Sequence, residues 1–541
     1  MDKPSYSANH LIMLGCSIKK AHSALKSGSI LPSELLEKSI SKAEHLQPIL
    51  NAATVILNDL AKKQAIDSDN RYKIGGPLSM IDGLPIVVKD NFCLSGAPTT
   101  CGSKMLQNFI PKYNATVVEK THEAGGVSVA KSNMDEFGMG SGNVDSCFGP
   151  VKSIWRSGIE YKLLTKHNNL NEIHSAQNVG SVLNKNDFLI ETNFDDKIGS
   201  IIAGGSSGGS ASLVASGVAF AALGSDTGGS VRIPGSWSGL VSLKPSYGHI
   251  SRHGLIPLVN SLDVPGILAR SVEDVAIYYD LLKGIDINDS TTTNISMSGI
   301  HDILENDINL NSFKIGVPKD YLCEGMTDEV QETWSDIIDL LERNKVNVCQ
   351  TSLPHTPYSI SCYQVLNPCE VASNMARYDG LEYGLRTEKE DSTESLFASV
   401  RHHGFNDVVR GRILAGNYFL LRQNYKKYFL RALQVRRKIS EDFENAFKKC
   451  NLLVTPATLC DAPSMQDFLS SDNRTQTAKH DYCTQPVNLA GLPAATVPVK
   501  LSSRSLPLCV QIIGRYGKED EVLSLAKFIE DTVQFPKLQL T

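Results

Sequence analysis

Residues 204–232 read GGSSGGSASLVASGVAFAALGSDTGGSVR. Two glycine–serine boxes bracket an apolar run of small residues. Ser206 and Ser207 lie in the first box and Ser230 in the second. Four readings compete: a linker, a phosphate cradle, a membrane span, or two ends of one catalytic site. A P-loop needs G-x-x-x-x-G-K-[ST], and no such string occurs in the chain. The uncharged stretch Ile198–Ser225 is long enough to cross a bilayer. Its density of glycine and serine makes it a poor lipid-facing helix. A loose linker is not followed by SASLVASGVAFAALGS, whose small apolar residues suit a buried, closely packed helix. The reading that remains is a helix N-terminus or a nucleophile site.

Gly204–Gly208 matches G-x-S-x-G, the nucleophile elbow of an α/β-hydrolase. That fold wants an acid and then a histidine after the serine, whereas His480 precedes Asp481. Its H-G-G-G oxyanion motif is absent, and G-x-S-x-G arises by chance in Gly/Ser-rich runs. The second box, SDTGGSVRIP, is more informative. Glycines let backbone N–H groups approach a ligand closely, and amides aimed at one point make an anion site. The N–H groups of Thr227, Gly228 and Gly229 are placed to hold an oxyanion while Ser230 attacks a carbonyl. One such donor is worth roughly 3–4 kcal/mol of transition-state stabilisation.

The attacking serine needs a base. The segment IDGLPIVVKDN reads as a turn and a short β-branched strand closed by Lys89. Burial there lowers a lysine pKa enough to leave a neutral amine near pH 7. Alone, Lys89 reads as a strand-end surface lysine and Ser206 as a helix cap. The case for chemistry comes from their combination with Ser230.

Outward from this site the pattern alternates. LPSELLEKSISKAEHL places Leu35, Leu36, Ile40, Ala43 and Leu46 at helical spacing, and residues 31–66 read as two helices. NATVVEKTHEAGGVSVAKSNMDEF reads as helix, Gly-Gly break and strand. FKIGVPKDYL, NLLVTPATL and AATVPVKL read as strands, TDEVQETWSDIIDLLERN as an amphipathic helix, and 405–449 as a helical region rich in Arg and Lys. Strands alternating with helices predict an α/β fold. The expected division is an N-terminal helical segment, 1–70, and one domain, 71–541. A surface insertion at about 151–200, rich in Asn, Lys and His, interrupts that domain.

The net charge of −5 gives no global basic face, which disfavours dominant nucleic-acid binding by this chain alone. Twelve cysteines without C-x-x-C or zinc-finger spacing read as reduced thiols in a reducing compartment, with no metal site. The N-terminus carries Lys3, Lys19 and Lys20 but no secretory h-region and no arginine-rich presequence pattern.

The combination of GLPIVVKDN with AGGSSGGSASLVASGVAFAALGSDTGGSVRIP resembles the amidase signature family, from about residue 20 to the end of the chain. Within the family the likeness is to the glutaminase subunits of tRNA-dependent amidotransferases. It rests on NMDEFGMGSG at 133–142, FGPVK at 148–152 and the long stretch 243–276. EVASNMARYDGLEYG at 370–384 and PVNLAGLPAATVPV at 486–499 extend it. The insertion before the first box, VVRGRILAGN at 408–417 and VQFP at 533–536 resemble the animal mitochondrial form. Ile202-Ala203 in place of the frequent Val-Pro, and Gly138 in place of Ala, are departures that spare the boxes.

The resemblance implies an amidase signature fold, a central mixed twisted sheet covered by helices on both faces. It implies a Ser–Ser–Lys triad of Lys89, Ser206 and Ser230. Ser230 is the acylated nucleophile and Ser206 a relay on a non-proline cis peptide, with Ser207 and Ser210 as packing residues behind them. Arg412 would take the α-carboxylate of glutamine, Asp481 its ammonium, and Tyr363 would line the pocket. No cofactor is expected in this chain. The expected partners are the B and C subunits of an amidotransferase heterotrimer. ATP and Mg would be used by the B subunit, which would also carry most of the contact with Glu-tRNA(Gln). The small C subunit would complete the assembly in the mitochondrial matrix, with no membrane. The alternative within the family is a stand-alone amidase acting on another small amide.

Overall fold

The computed structural model describes residues 14–157, 161–165, 188–191, 199–294, 299–305, 310–388 and 391–540. Eleven strands form one mixed sheet. In chain order they begin β1 (Ala53–Ile56), β2 (Pro85–Lys89) and β3 (Val127–Ser132). After β4 (Tyr161–Thr165) and β5 (Phe188–Glu191), which lie elsewhere, come β6 (Ala221–Asp226), β7 (Val241–Lys244), β8 (Val264–Ala269) and β9 (Lys314–Pro318). β10 (Asn347–Thr351), β11 (Leu452–Pro456), β12 (Ala494–Leu501) and β13 (Pro507–Gly514) complete it. The spatial order is β1-β3-β2-β6-β8-β7-β12-β13-β11-β9-β10.

Alternation along the central strands explains why the sheet is covered on both faces. Ile86 and Val88 of β2 enter one apolar cluster, and Val87 enters a second. Ala221 and Leu223 of β6 divide from Ala222 in the same way, as do Ile267 and Ala269 of β8 from Leu268. Successive side chains of a strand point to opposite faces, so two clusters mean two packed layers. The helix Pro32–Leu50 supplies Leu36, Ile40, Ala43 and Leu46 to one layer. The helix Val272–Leu282 supplies Val272, Val275, Ala276 and Tyr279 to the other.

Two local expectations are corrected. The run after the first box is not one helix. The helix Gly208–Ala215 stops, and the chain re-enters the sheet as β6. Gly217 takes φ +73°, Val218 N–H turns back to Leu213 O at 3.0 Å, and the helix is closed. Residues 31–66 hold two helical segments, but β1 stands between them and pairs antiparallel with β3 at the sheet edge.

The C-terminal strand β14 (Lys537–Leu540) pairs with β4, and β4 with β5, in a separate three-stranded sheet. β4 and β5 belong to the insertion at about 151–200, most of which lies outside the described residues. Among the described residues no helix is long and apolar enough to cross a membrane. All twelve cysteines are free thiols.

Candidate active site

The sheet topology brings the lysine to the serines. β2 and β6 run parallel, with Ile86 opposite Ala221 and Val88 opposite Leu223. Lys89 and Ser225 therefore emerge together at the carboxyl ends of neighbouring strands, where open α/β sheets form their crevices. The loop after β6 carries the second box, and the helix Arg232–Trp237 follows it. The first box precedes the helix Gly208–Ala215, which packs against β2 and β6. The two boxes touch through the backbone, where Ser207 N–H donates to Ser230 O at 3.1 Å.

Lys89 is fully buried. Its Nζ lies 2.8 Å from Ser206 Oγ, 2.8 Å from Ser207 Oγ and 2.9 Å from Ser225 Oγ. Asn91 Nδ2 donates to the same Ser225 hydroxyl at 2.9 Å. The cage is made of hydroxyls, and no described carboxylate pairs with the amine. Burial pushes the Lys89 pKa down to about 7, against weaker opposing fields from Asp135, Asp226 and Asp263. An ammonium donates three hydrogen bonds and accepts none. The neutral amine has two N–H groups and a lone pair, so one of the three hydroxyls must donate to it. The peptide Gly205–Ser206 is cis.

The family resemblance puts Ser207 behind the site, yet its hydroxyl touches the amine as closely as that of Ser206 does. Ser210 instead bonds Ser132 Oγ at 2.7 Å, away from Lys89. Ser230 Oγ hydrogen-bonds to no described residue, so the expected Ser206–Ser230 link is not formed here. The N–H groups of Thr227, Gly228, Gly229 and Ser230 likewise donate to no described acceptor.

The loop bearing them is held from behind. Asp226 accepts from Val231 N–H at 3.1 Å and from Arg232 Nη2 at 2.9 Å, and both side chains are fully buried. Arg232 continues to Thr484 O at 2.9 Å and Gln511 Oε1 at 2.7 Å. Burial alone would raise the Asp226 pKa, but Arg232 outweighs it and holds the carboxyl at about 2. Thr484 Oγ1 donates to Gly228 O at 2.7 Å. Gly229 takes φ +145°, and a Cβ there would sit 2.2 Å from Thr484 Oγ1.

Tyr363 and Asp481 meet at Gly228. A Cβ on Gly228 would lie 3.2 Å from Asp481 Oδ2 and 3.3 Å from Tyr363 Oη. Ser141 Oγ donates to Asp481 Oδ1 at 2.7 Å, and burial pushes the Asp481 pKa up to about 7. Arg412 is half-buried. Its Nη1 lies 3.2 Å from Asn367 Oδ1, one helical turn beyond Tyr363, and its Nη2 lies 3.4 Å from Asn473 Oδ1. The Arg412 charge acts on both the Asp481 carboxyl and the Tyr363 phenol, and a carboxyl with a guanidinium nearby suits a zwitterionic amino acid.

Three contributors escape a reading of the sequence. Ser225 and Asn91 complete the lysine cage, and Ser141 orients Asp481. Ser225 and Asn91 each lie within two residues of a motif residue, and that adjacency is the available signal. His480 is no base for these serines. Burial lowers its pKa to about 3, its Nε2 faces Gln476 at 3.2 Å, and its ring packs edge-on against Trp237.

The family model described as Amidase matches residues 34–158 and 199–523. The chain is 48% identical over 531 residues to the A subunit of mitochondrial glutamyl-tRNA(Gln) amidotransferase of Xenopus laevis, covering 97% of this chain and 96% of that protein. It is 48% identical over 529 residues to the Homo sapiens protein of the same description, covering 98% and 96%. Among solved structures it resembles the A subunit of glutamyl-tRNA(Gln) amidotransferase from Thermotoga maritima. The TM-score is 0.73 and the identity 29%, with coverage of 98% of this chain and 99% of that one. A peptide amidase from Stenotrophomonas maltophilia shares the fold at TM-score 0.76 and 23% identity, covering 97% of this chain and 98% of that one.

Proposed function

Because this chain belongs to the amidase family, we propose that it is the glutaminase subunit of a mitochondrial glutamyl-tRNA(Gln) amidotransferase. It hydrolyses glutamine and supplies ammonia for the conversion of Glu-tRNA(Gln) to Gln-tRNA(Gln). The observation that carries this reading is the buried Lys89 amine, caged by serine hydroxyls, with Asp481 and Tyr363 meeting at Gly228 of the second serine box.

Glutamine enters with its ammonium at Asp481 and Tyr363 and its α-carboxylate at Arg412. Neutral Lys89 takes the proton of Ser206, and Ser206 takes the proton of Ser230. The unpartnered Ser230 hydroxyl turns toward Ser206 for this step, since such contacts tighten when substrate is bound. Ser230 Oγ attacks the carboxamide carbon, and the N–H groups of residues 227–230 stabilise the oxyanion. The relayed proton returns to the nitrogen as the C–N bond breaks, releasing ammonia. Water then attacks the γ-glutamyl ester through the same relay, freeing glutamate and restoring Ser230.

The assembly we propose includes a B subunit, which uses ATP and Mg to activate Glu-tRNA(Gln), and a small C subunit, all in the mitochondrial matrix. No cofactor is assigned to this chain. The test is glutamine-dependent ammonia release and amidation of Glu-tRNA(Gln) by the chain purified with the B and C subunits. Ser230→Ala should abolish glutamine-driven amidation while leaving amidation from added ammonium chloride intact. If short aliphatic or aryl amides outcompete glutamine, the chain is instead a stand-alone amidase.

A further inference from the structure

Asp263 is a buried acid that the steps above do not use. β6 and β8 pair antiparallel with Asp226 opposite Val264, so the next residues outward, Thr227 and Asp263, face each other at the end of the sheet. Asp263 Oδ1 accepts from Thr227 Oγ1 at 2.7 Å. Its Oδ2 accepts from Leu258 N–H at 2.8 Å and Val259 N–H at 2.9 Å. It forms no ion pair with a described residue, and hydrogen bonds to both oxygens are what make such a burial tolerable. Burial pushes its pKa up to about 6 against those bonds, which leaves a carboxylate at neutral pH. The segment before it is bolted down. Glu370 Oε2 accepts from Ser261 N–H at 3.0 Å, and Asn374 Nδ2 donates to Leu258 O at 3.0 Å. Both stand on the helix Ser359–Met375, which also carries Tyr363. Two residues of the stretch EVASNMARYDGLEYG thereby fix the loop from which Asp263 projects.

Thr227 opens the run of oxyanion donors, and Gly228 and Gly229 after it have no side chain by which the loop can be held. The Thr227 hydroxyl is therefore the handle on that loop. A small cavity lined by Asn91, Ser225, Thr227 and Asp263, with Phe137 and Leu258, joins this contact to the lysine cage. The Asp263 charge accordingly acts on Lys89 and favours its ammonium form, against the effect of burial. We infer that Asp263 is a positioning residue for amide hydrolysis, whose carboxylate grips the Thr227 hydroxyl and so aims the oxyanion donors beside the lysine cage. The inference rests on the glutaminase reading above.

The test uses the chain co-expressed with the B and C subunits. Thr227→Val keeps the shape and removes the hydroxyl, Thr227→Ser keeps the hydroxyl, and Asp263→Asn keeps the shape and removes the charge. In the last, the amide oxygen accepts the two N–H groups and the NH2 donates to Thr227 Oγ1, so the grip survives. Thr227→Val should lower kcat for glutamine about 10- to 100-fold, the scale of one hydrogen bond to a buried charge, with KM unchanged. Thr227→Ser should restore most of it. Asp263→Asn should lose less kcat than Thr227→Val and should move the acidic limb of kcat to lower pH, because a lysine without that negative charge nearby deprotonates more easily. Asp135 and Asp226 still act on Lys89 in that variant, and burial keeps the Cys101 thiol protonated. Arg252 is the cation acting on Asp263, and the Tyr247 and Tyr363 phenols that feel it have raised pKa values. Wild-type kcat in Thr227→Val overturns the proposal, as does an equal loss in Thr227→Ser, a change confined to KM, or an unmoved acidic limb in Asp263→Asn. Phenylmethylsulfonyl fluoride reads the same loop without glutamine. Ser230 Oγ bonds to its sulfur as fluoride leaves, and the serine proton passes into the Lys89 relay. Thr227→Val should slow this labelling as well. An unaltered complex that is labelled yet releases no ammonia from glutamine would refute the glutaminase reading alone, with the labelling rates still deciding the role of Asp263.

Discussion

Thr484 Oγ1 donates a 2.7 Å hydrogen bond to the carbonyl of Gly228 and so ties the second serine box to the turn that follows Asp481. The bond fixes the peptide planes from which the oxyanion donors project. Thr484→Val keeps the shape and removes the hydroxyl. A lost bond to a buried carbonyl costs about 1–3 kcal/mol, so kcat for glutamine hydrolysis should fall about 10- to 100-fold with KM nearly unchanged. Thr484→Ser should recover most of it. Steady-state glutaminase assays of the three proteins decide, and a change confined to KM would move Thr484 out of the oxyanion loop's support.

The pH dependence follows from two buried groups. Lys89 must be neutral to act as a base, and burial sets its pKa at about 7. The active fraction therefore rises with pH through about 7. Asp481 must be ionised to hold the ammonium, and burial brings its pKa up to about 7 as well. Bound ammonium favours the ionised carboxylate, so this second limb leaves the kcat profile. kcat should show a single acidic limb near 7, and kcat/KM a steeper one. Asp481→Asn should lower kcat/KM by about 30-fold or more, the scale of removing one member of a buried charge pair, and make its acidic limb single.

Ser206 and Ser207 both sit 2.8 Å from Lys89 Nζ, but only Ser206 is assigned a proton to pass on. Ser206→Ala breaks the relay and should cost at least 10³-fold in kcat, in line with the scale of about 10²–10⁴ for positioned proton transfer. Ser207→Ala removes one hydroxyl of the cage and should cost about 10-fold. Parallel kcat measurements on the two variants test the order, and equal losses would make the two hydroxyls one functional unit.

Legibility divides along the same line. Lys89, Ser206 and Ser230 are readable because each sits in a motif whose residue types limit the chemistry. The parallel pairing of β2 with β6 is not readable, and it is what makes Ser225 a neighbour of Lys89. The helix at 208–215 reads too long because small apolar residues suit a buried helix and a buried strand alike, and Gly217 alone marks the change. β1 has four residues between two helices, too few to show a period of two. The meeting of Tyr363 with Asp481 at Gly228 joins segments far apart in the chain, which spacing cannot express.

Asp226 and Arg232 form a buried pair whose loss should unfold the site from behind. Asp226→Ala leaves the guanidinium buried and uncompensated, a cost of about 3–5 kcal/mol. Urea denaturation should show a lower midpoint with an unchanged slope. The carboxyl is held at about 2, below its ordinary value near 3.9. Its contribution is therefore complete above about pH 4 and is lost as pH falls through 2. The variant should lack this part of the acid destabilisation, and an unchanged acid profile would assign it to other carboxyls.

Gly228 separates a defect in binding from a defect in chemistry. A methyl there would stand 3.2 Å from Asp481 Oδ2 and 3.3 Å from Tyr363 Oη, tighter than ordinary contact but not impossible. It would occupy the space proposed for the glutamine ammonium while leaving Lys89 and Ser206 untouched. Its backbone N–H remains, so the oxyanion donors are kept in number. Gly228→Ala should therefore raise KM for glutamine about 10-fold or more, the effect of about 1.4 kcal/mol, and lower kcat by less. Gly229→Ala makes the opposite case. Its φ of +145° and a Cβ 2.2 Å from Thr484 Oγ1 force the loop itself to move, so kcat should collapse. Steady-state constants for the two alanine variants test both assignments together. If Gly228→Ala loses kcat with KM unchanged, glutamine does not lie against Asp481 and Tyr363, and the pocket must be placed elsewhere along the crevice.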